Sequence, residues 1–212
     1  MPDSLQRLLG LLGAVLTLPL VGALGLAVRL ETPGPAIHRA SRVGTGGRPF
    51  TCYKLRTMVA AAPTSGPAIT AGGDPRLTRL GRLLRRFRLD ELPQLWNVAR
   101  GEMRLVGPRP EAPGFVDLSD PLHRLVFTAR PGITGLTQLF YADEAARLDR
   151  TDPERHYREA VLPAKLRLDA AYLRHRSTIL DLWILGQTPR ALLGRPLHLP
   201  PSLAAELDEA AP

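Results

Sequence analysis

"DPRLTRLGRLLRRFRLDELPQLWNV", residues 74–98, sets two adjacent carboxylates, Asp90 and Glu91, directly after a dense arginine run. Asp74-Pro75 reads as the N-cap and first position of a helix. Leu77, Leu80, Leu84 and Phe87 fall at helical spacing on one face, and arginines occupy the remainder. Asp90 then reads as the N-cap of a second helix through "ELPQLWNVA", with Pro93 in its first turn. On local grounds two accounts of the acid pair stand. Asp90 caps a helix and Glu91 complements its dipole, worth about 1 kcal/mol in total. Alternatively, Asp90 is a nucleophile beside phosphate-binding arginines, and Glu91 supplies oxygen for Mg²⁺, which binds through one or two carboxylates plus substrate phosphates.

The chain on either side of this stretch divides into three. Residues 1–31 form an apolar segment, 32–195 the main domain, and 196–212 a weakly ordered tail. Leu8 to Val28 carries no charge. As a helix it would reach about 30 Å, the thickness of the hydrocarbon layer. Pro19 sits at its middle, where it removes one backbone hydrogen bond. A spanning helix and a re-entrant hairpin bent at Pro19 both remain open; Arg7 and Arg29 flank the run and favour neither. The run is long for a signal peptide. "AIHRASRV" and "PFTCYKLRTM" read as strands of a hairpin closed by the Gly44–Gly47 turn. Residues 60–73 read as a small-residue loop. "EMRLVGPRPE" reads as a short strand entering a rigid turn, and "ARPGITGLTQL" as another turn and strand. Helices are expected over Pro153–Arg174 and Thr178–Leu193. The fold class is therefore mixed α/β, helix-rich, with a small sheet.

The chain has 212 residues and a formal net charge of +8; of its 28 basic residues only Lys54 and Lys165 are lysines. An arginine excess suits phosphate-bearing partners, although a GC-rich genome produces the same bias. The single cysteine, Cys52, excludes an intrachain disulfide and a cysteine-rich zinc site. The five histidines lie at no metal-ligand spacing. Few aromatics, no Walker loop, no G-x-G-x-x-G turn and no DNA-reading motif argue against nucleic-acid or dinucleotide binding. In "VGPRP" two prolines fix the backbone around Arg109, which suits bidentate phosphate recognition. Lys54 and Arg56 alternate and would share one face of their strand.

Taken in order, "TPGPAIHRASRVGTGGRPF", "YKLRTM", "DPRLTRLGRLLRRFRLDELPQLWNV", "GEMRLVGPRPE" and "RPGITGLTQ" resemble the bacterial sugar transferases, the monotopic phosphoglycosyl transferases of polyprenol phosphate. The resemblance runs from about Leu5 to Leu193 and decides the acid pair for catalysis. It implies transfer of a sugar phosphate from a UDP-sugar to undecaprenyl phosphate, with release of UMP. The setting is the cytoplasmic face of the bacterial inner membrane, where the product starts glycan assembly. It also implies an aspartyl intermediate on Asp90, Mg²⁺ held with Asp90 and Glu91, and substrate contacts from Lys54, Arg56, Arg85, Pro108, Arg109, Pro110 and Gln138. Pro19 becomes the break of a re-entrant membrane helix. Membrane lipid is then a partner, a homodimer is admitted, and nucleic acid is not expected. Two departures stand out. Leu18, not serine, precedes Pro19, and "LFYADEAARL" follows "TGLTQ" where the family often has an Asn-Gly-Arg-like loop, so the sugar stays unnamed. The chain lacks the multi-span extension of larger members and reads as a minimal catalytic unit. The rival reading is a membrane-tethered, non-catalytic protein that grips nucleic acid or anionic lipid with its arginine helix.

Overall fold

A computed structural model describes residues 1–59, 69–70, 72–149 and 151–197. Most of the expected 60–73 loop and nearly all of the 196–212 tail therefore lie outside the described residues. The chain opens with one long helix, α1 (Asp3–Glu31), which contains Pro19. No stretch before residue 32 breaks it into two elements, so the expected helix–break–helix appears as a single helix with an internal proline. Thr17 Oγ1 donates to Gly13 O at 2.7 Å, in the turn before the proline.

β1 (Ile37–Val43) and β2 (Pro49–Leu55) form the expected antiparallel hairpin, with Ile37 opposite Leu55 and Val43 opposite Pro49. Gly46 and Gly47 take positive φ in the connecting turn. The next helix, α2, spans Arg79–Arg86 and begins later than expected. Leu77 forms an isolated bridge with Met58, which holds the chain extended after Pro75. Thr78 becomes the cap, accepting from Gly81 N at 2.8 Å, while Asp74 turns back on Arg76 N at 2.9 Å.

The second expected helix start is also displaced. Leu89–Glu91 is a 3₁₀ turn, and α3 covers Gln94–Ala99 after Pro93. Asp90 lies inside the turn and caps nothing. Arg88 precedes it with φ 55° and ψ 20°, a left-handed conformation shown by no other non-glycine residue among those described. Such a conformation in a bulky residue costs on the order of 1–3 kcal/mol and persists only when its surroundings enforce it.

β3 (Arg104–Val106) pairs in parallel with β4 (Gly132–Thr134), with α4 (Pro121–Val126) between them. α5 (Leu136–Phe140) and α6 (Glu144–Arg147) follow. α7 (Pro153–His156) runs through a π-helical turn, Tyr157–Val161, into α8 (Leu162–Arg174). Pro163 has no N–H for the carbonyl of Glu159, and the wider turn absorbs that missing bond. α9 (Thr178–Leu192) closes the described fold. The main core gathers Val106, Leu136, Leu168, Tyr172 and Ile184 from β3, α5, α8 and α9. α9 buries Leu180 and Ile184 in that core while Ile179 and Leu182 stay exposed, so core face and outer apolar face coexist on one helix.

α1 is held along its length by the globular part. A Cβ on Gly10 would come within 2.7 Å of Val98 Cγ1, so glycine there lets α1 lie directly on α3. Near its start, Asp3 pairs with Arg104 at 2.6 Å and Arg130 at 2.9 Å. At its end, Val28 packs with Leu55 and Leu84, and Glu31 accepts from Leu80 N at 3.1 Å. Between these attachments Val15, Leu16 and Leu18 are exposed. It is the one helix among the described residues long and apolar enough to cross a membrane.

Candidate active site

The hairpin, α2, the Leu89–Glu91 turn, the Pro108–Pro110 turn and α5–α6 enclose a cleft of about 1130 Å³. Glu91 sits at its centre, 5% exposed. Its Oε1 receives Lys54 Nζ at 2.9 Å and Arg109 Nη2 at 3.3 Å, and pairs with Arg88 Nη1 at 3.6 Å. Burial opposes the charged form, but Lys54, Arg109 and Arg88 outweigh it and hold the carboxyl well below the usual range. In return, despite burial, Glu91 and Glu144 keep Arg109 more firmly protonated than a free arginine.

Asp90 differs from its neighbour. It is 6% exposed, and its Oδ1 is buried with no hydrogen-bond partner. Burial and then Glu91 push its carboxyl above the usual range, and Lys54, Arg85 and Arg88 offset them only in part. Ionisation of Asp90 therefore depends on surrounding cations, in place of the helix N-terminus expected from sequence. A buried polar atom without a partner is costly, on the order of 1–3 kcal/mol, and calls for a partner such as a water, an ion or a substrate group.

The other predicted residues distribute as follows. Arg85 donates from Nε to Thr57 Oγ1 at 3.0 Å and lines the cleft. A Cβ at Gly81 would meet Thr57 O at 2.0 Å, so this glycine is what allows α2 to approach the 57–58 segment and aim Arg85. Arg109 and Pro110 line the cleft, and Pro108 O accepts Gly132 N at 2.8 Å, locking the turn onto β4. Gln138 donates to Gly132 O at 3.2 Å and leaves Oε1 buried and without a partner. Arg56 lines the cleft together with Lys54. Its guanidinium is committed to Pro35 O at 2.7 Å, Thr32 Oγ1 at 2.6 Å and Thr32 O at 2.8 Å, at the end of α1.

Sequence reasoning missed a second cluster on the cleft wall. Lys165 Nζ reaches Glu111 Oε1 and Glu144 Oε2, both at 2.9 Å, and Tyr157 donates to Glu111 Oε1 at 2.7 Å. Behind it, Asp169 accepts from Thr137 Oγ1 at 2.7 Å and from the backbone N–H of Arg109 at 3.2 Å. Burial pushes its carboxyl up to about 7, against those two hydrogen bonds. One signal was available: the chain has two lysines, and both line this cleft. Arg88 carried no such signal, because it is one arginine in a run of them.

No group of three or more metal-ligating side chains occurs among the described residues. The donor set still suits Mg²⁺, which needs only one or two carboxylates when phosphates supply the rest. Asp90 Oδ1 is an unclaimed oxygen of that kind.

Among the described residues, an apolar helix is thus fastened to a cationic cleft that holds a buried carboxylate oxygen without a partner. Comparison with known proteins makes this specific, and the chain belongs to the bacterial sugar transferase family, whose profile matches residues 3–195. It is 37% identical over 196 residues to a UDP-N-acetylgalactosamine-undecaprenyl-phosphate N-acetylgalactosaminephosphotransferase of Aeromonas hydrophila, covering 89% of this chain and 44% of that protein. It is 45% identical over 144 residues to a UDP-glucose:undecaprenyl-phosphate glucose-1-phosphate transferase of Caulobacter vibrioides, covering 65% of this chain and 54% of that protein. A third relative, an exopolysaccharide production protein of Rhizobium leguminosarum, is 35% identical over 84% of this chain and 88% of itself. The chain thus spans about half the length of the first two.

Proposed function

We propose that this chain is an enzyme that transfers a sugar phosphate from a UDP-sugar to undecaprenyl phosphate, releasing UMP and initiating a glycan. The observation that carries the reading is the unpartnered Asp90 Oδ1 beside a glutamate already occupied by three cations. An Asp90 oxygen attacks the β-phosphorus of the donor. The bond from that phosphorus to the bridging oxygen breaks, and UMP leaves with the electron pair. A phosphate oxygen of the polyprenol phosphate then attacks the same phosphorus, and the bond to Asp90 breaks, restoring the carboxylate. Phosphoryl transfer asks chiefly for positioning and charge stabilisation. Arg85, Arg88, Arg109 and Lys54 supply positive charge around the donor phosphates, with Glu91 fixing three of the four. Mg²⁺ held by Asp90 and Glu91 would neutralise phosphate charge during the exchange.

The acceptor is a lipid, so the cleft belongs at a bilayer surface. Attachment of both ends of α1 to the same globular body supports a re-entrant course, with both ends on the cytoplasmic face. A helix crossing the bilayer would carry its ends to opposite sides. The non-catalytic rival has no use for a buried, uncapped Asp90.

Asp90→Asn should lower UMP release by about 10⁴-fold or more, since an amide of the same shape cannot act as the nucleophile. Donor incubated without acceptor should leave a phosphosugar adduct on the wild-type chain and none on this variant, read by intact mass. Near-normal UMP release by Asp90→Asn would end the covalent reading.

A further inference from the structure

Beside the cleft lies a second, smaller cavity of about 130 Å³, and it is almost entirely apolar. Leu92, Leu95, Ile133 and Leu139 make its wall, and Arg88, Glu91, Gln138, Ala191 and Leu192 are common to it and the cleft. The threonines that border it are already satisfied. Thr134 and Thr188 hydrogen-bond each other at 2.8 Å, and Thr188 also donates to Ile184 O. One of its wall residues, Leu95, also lies against the apolar helix, where a Cβ on Gly13 of α1 would lie 3.3 Å from Leu95 Cδ2. A single side chain thus separates the cavity beside the charged turn at Arg88–Glu91 from α1.

We propose that this cavity receives the isoprene unit next to the phosphate of the acceptor. The proposal rests on the transferase reading and deepens it by placing one part of the lipid. Size supports a single unit. A Leu/Ile/Phe-lined cavity of about 150 Å³ stays dry and takes a benzene-sized guest, so this one suits five carbons and not a folded chain. Charge supports the orientation. Arg88 stands at the end shared with the cleft and can meet the phosphate, while the leucines take the hydrocarbon and the rest of the chain leaves along α1. Seating the first unit fixes the acceptor phosphate next to Asp90, which gives positioning its share of the rate. The donor has no hydrocarbon of this kind, so the cavity discriminates between the two half-reactions.

The test uses the full chain in bilayer nanodiscs. Leu95→Trp fills the cavity from α3 at a position that does not line the cleft, and Leu95→Met keeps its volume. With Leu95→Trp, the KM for undecaprenyl phosphate should rise about tenfold or more. Acceptor-free UMP release in a single turnover should stay within about twofold of wild type. Leu95→Met should behave as wild type in both. Farnesyl phosphate should compete with the acceptor in the wild-type chain more strongly than dodecyl phosphate, which separates a prenyl seat from a general acyl-chain groove. An unchanged acceptor KM in Leu95→Trp overturns the proposal, as do equal losses in both half-reactions and equal competition by the two phosphates. Direct binding of undecaprenyl phosphate to nanodisc-held protein reads the same cavity without turnover. If the wild-type chain releases no UMP, the transferase reading fails; loss of lipid binding in Leu95→Trp would still report on the cavity.

Discussion

Glu91 and Glu111 each have a lysine ammonium 2.9 Å from a carboxylate oxygen, and both are largely buried. Lys165 and Glu111 sit in a closed set: Tyr157 adds a hydrogen bond to Glu111, and Glu144 takes a second contact from Lys165. Lys54 and Glu91 sit next to Asp90, which is equally buried and has an oxygen with no partner. The same ion pair thus appears once inside a satisfied network and once beside an unsatisfied atom. A satisfied buried network specifies structure; an unmet acceptor beside fixed positive charge is arranged for something that arrives later.

The comparison breaks most sharply through the lysines. Lys165→Met removes one partner of a buried pair and strands Glu111, so it should destabilise the fold by about 3–5 kcal/mol in urea titration. The Glu111→Gln, Lys165→Met double variant should recover part of that loss. A destabilisation below about 1 kcal/mol would show that the network is not the structural half of the comparison.

Arg109 touches both clusters, through its guanidinium on Glu91 and its backbone N–H on Asp169. Arg109→Ala should keep the proline-braced turn while removing a charge-assisted contact worth roughly 1.5–3 kcal/mol, or about ten- to a hundredfold. That loss should appear in kcat/KM for the UDP-sugar and leave the KM for undecaprenyl phosphate little changed, in steady-state kinetics varying each substrate in turn. A defect confined to the lipid substrate would refute the assignment.

The remaining effect is spread over pH and concerns Asp169. Its carboxyl is raised to about 7 in the fold, against an ordinary value near 3.9 when unfolded. Between these values the unfolded chain has already released the proton and the folded chain still holds it. Its contribution to stability is therefore full below about pH 4 and falls as pH rises toward 7. Asp169→Asn should remove that fall, about 4 kcal/mol across the whole window, read from melting curves at closely spaced pH. A slope identical to wild type would remove Asp169 from the account.

The hairpin was legible because its strands alternate and its turn is rich in glycine. α8 and α9 were legible from length and apolar spacing. The start of α2 was not, because Leu77 is claimed by a bridge to Met58 across the chain, which no local pattern encodes. Asp90 was found as a candidate by its neighbours in sequence. Its lack of a cap followed from the left-handed Arg88, a conformation that arginine does not advertise. The Glu111–Lys165–Asp169 cluster joins residues more than fifty positions apart, so spacing alone could not assemble it. Arg56 was legible in part: strand alternation placed it with Lys54, and both line the cleft, but β2 ends at Leu55 and the Arg56 guanidinium turns toward α1.

That turn of Arg56 has a mechanical meaning. Its guanidinium clasps the last carbonyls of α1, two positions along the chain from Lys54. Under the transferase reading, with α1 in the bilayer, the reaction centre would not float on a leash above the lipid. Arg56 would be one rivet between anchor and β2, beside those at Asp3 and Glu31, that together set its depth. The two substrates would then meet at a constant height, and the search for the lipid would become a problem of drift within a plane.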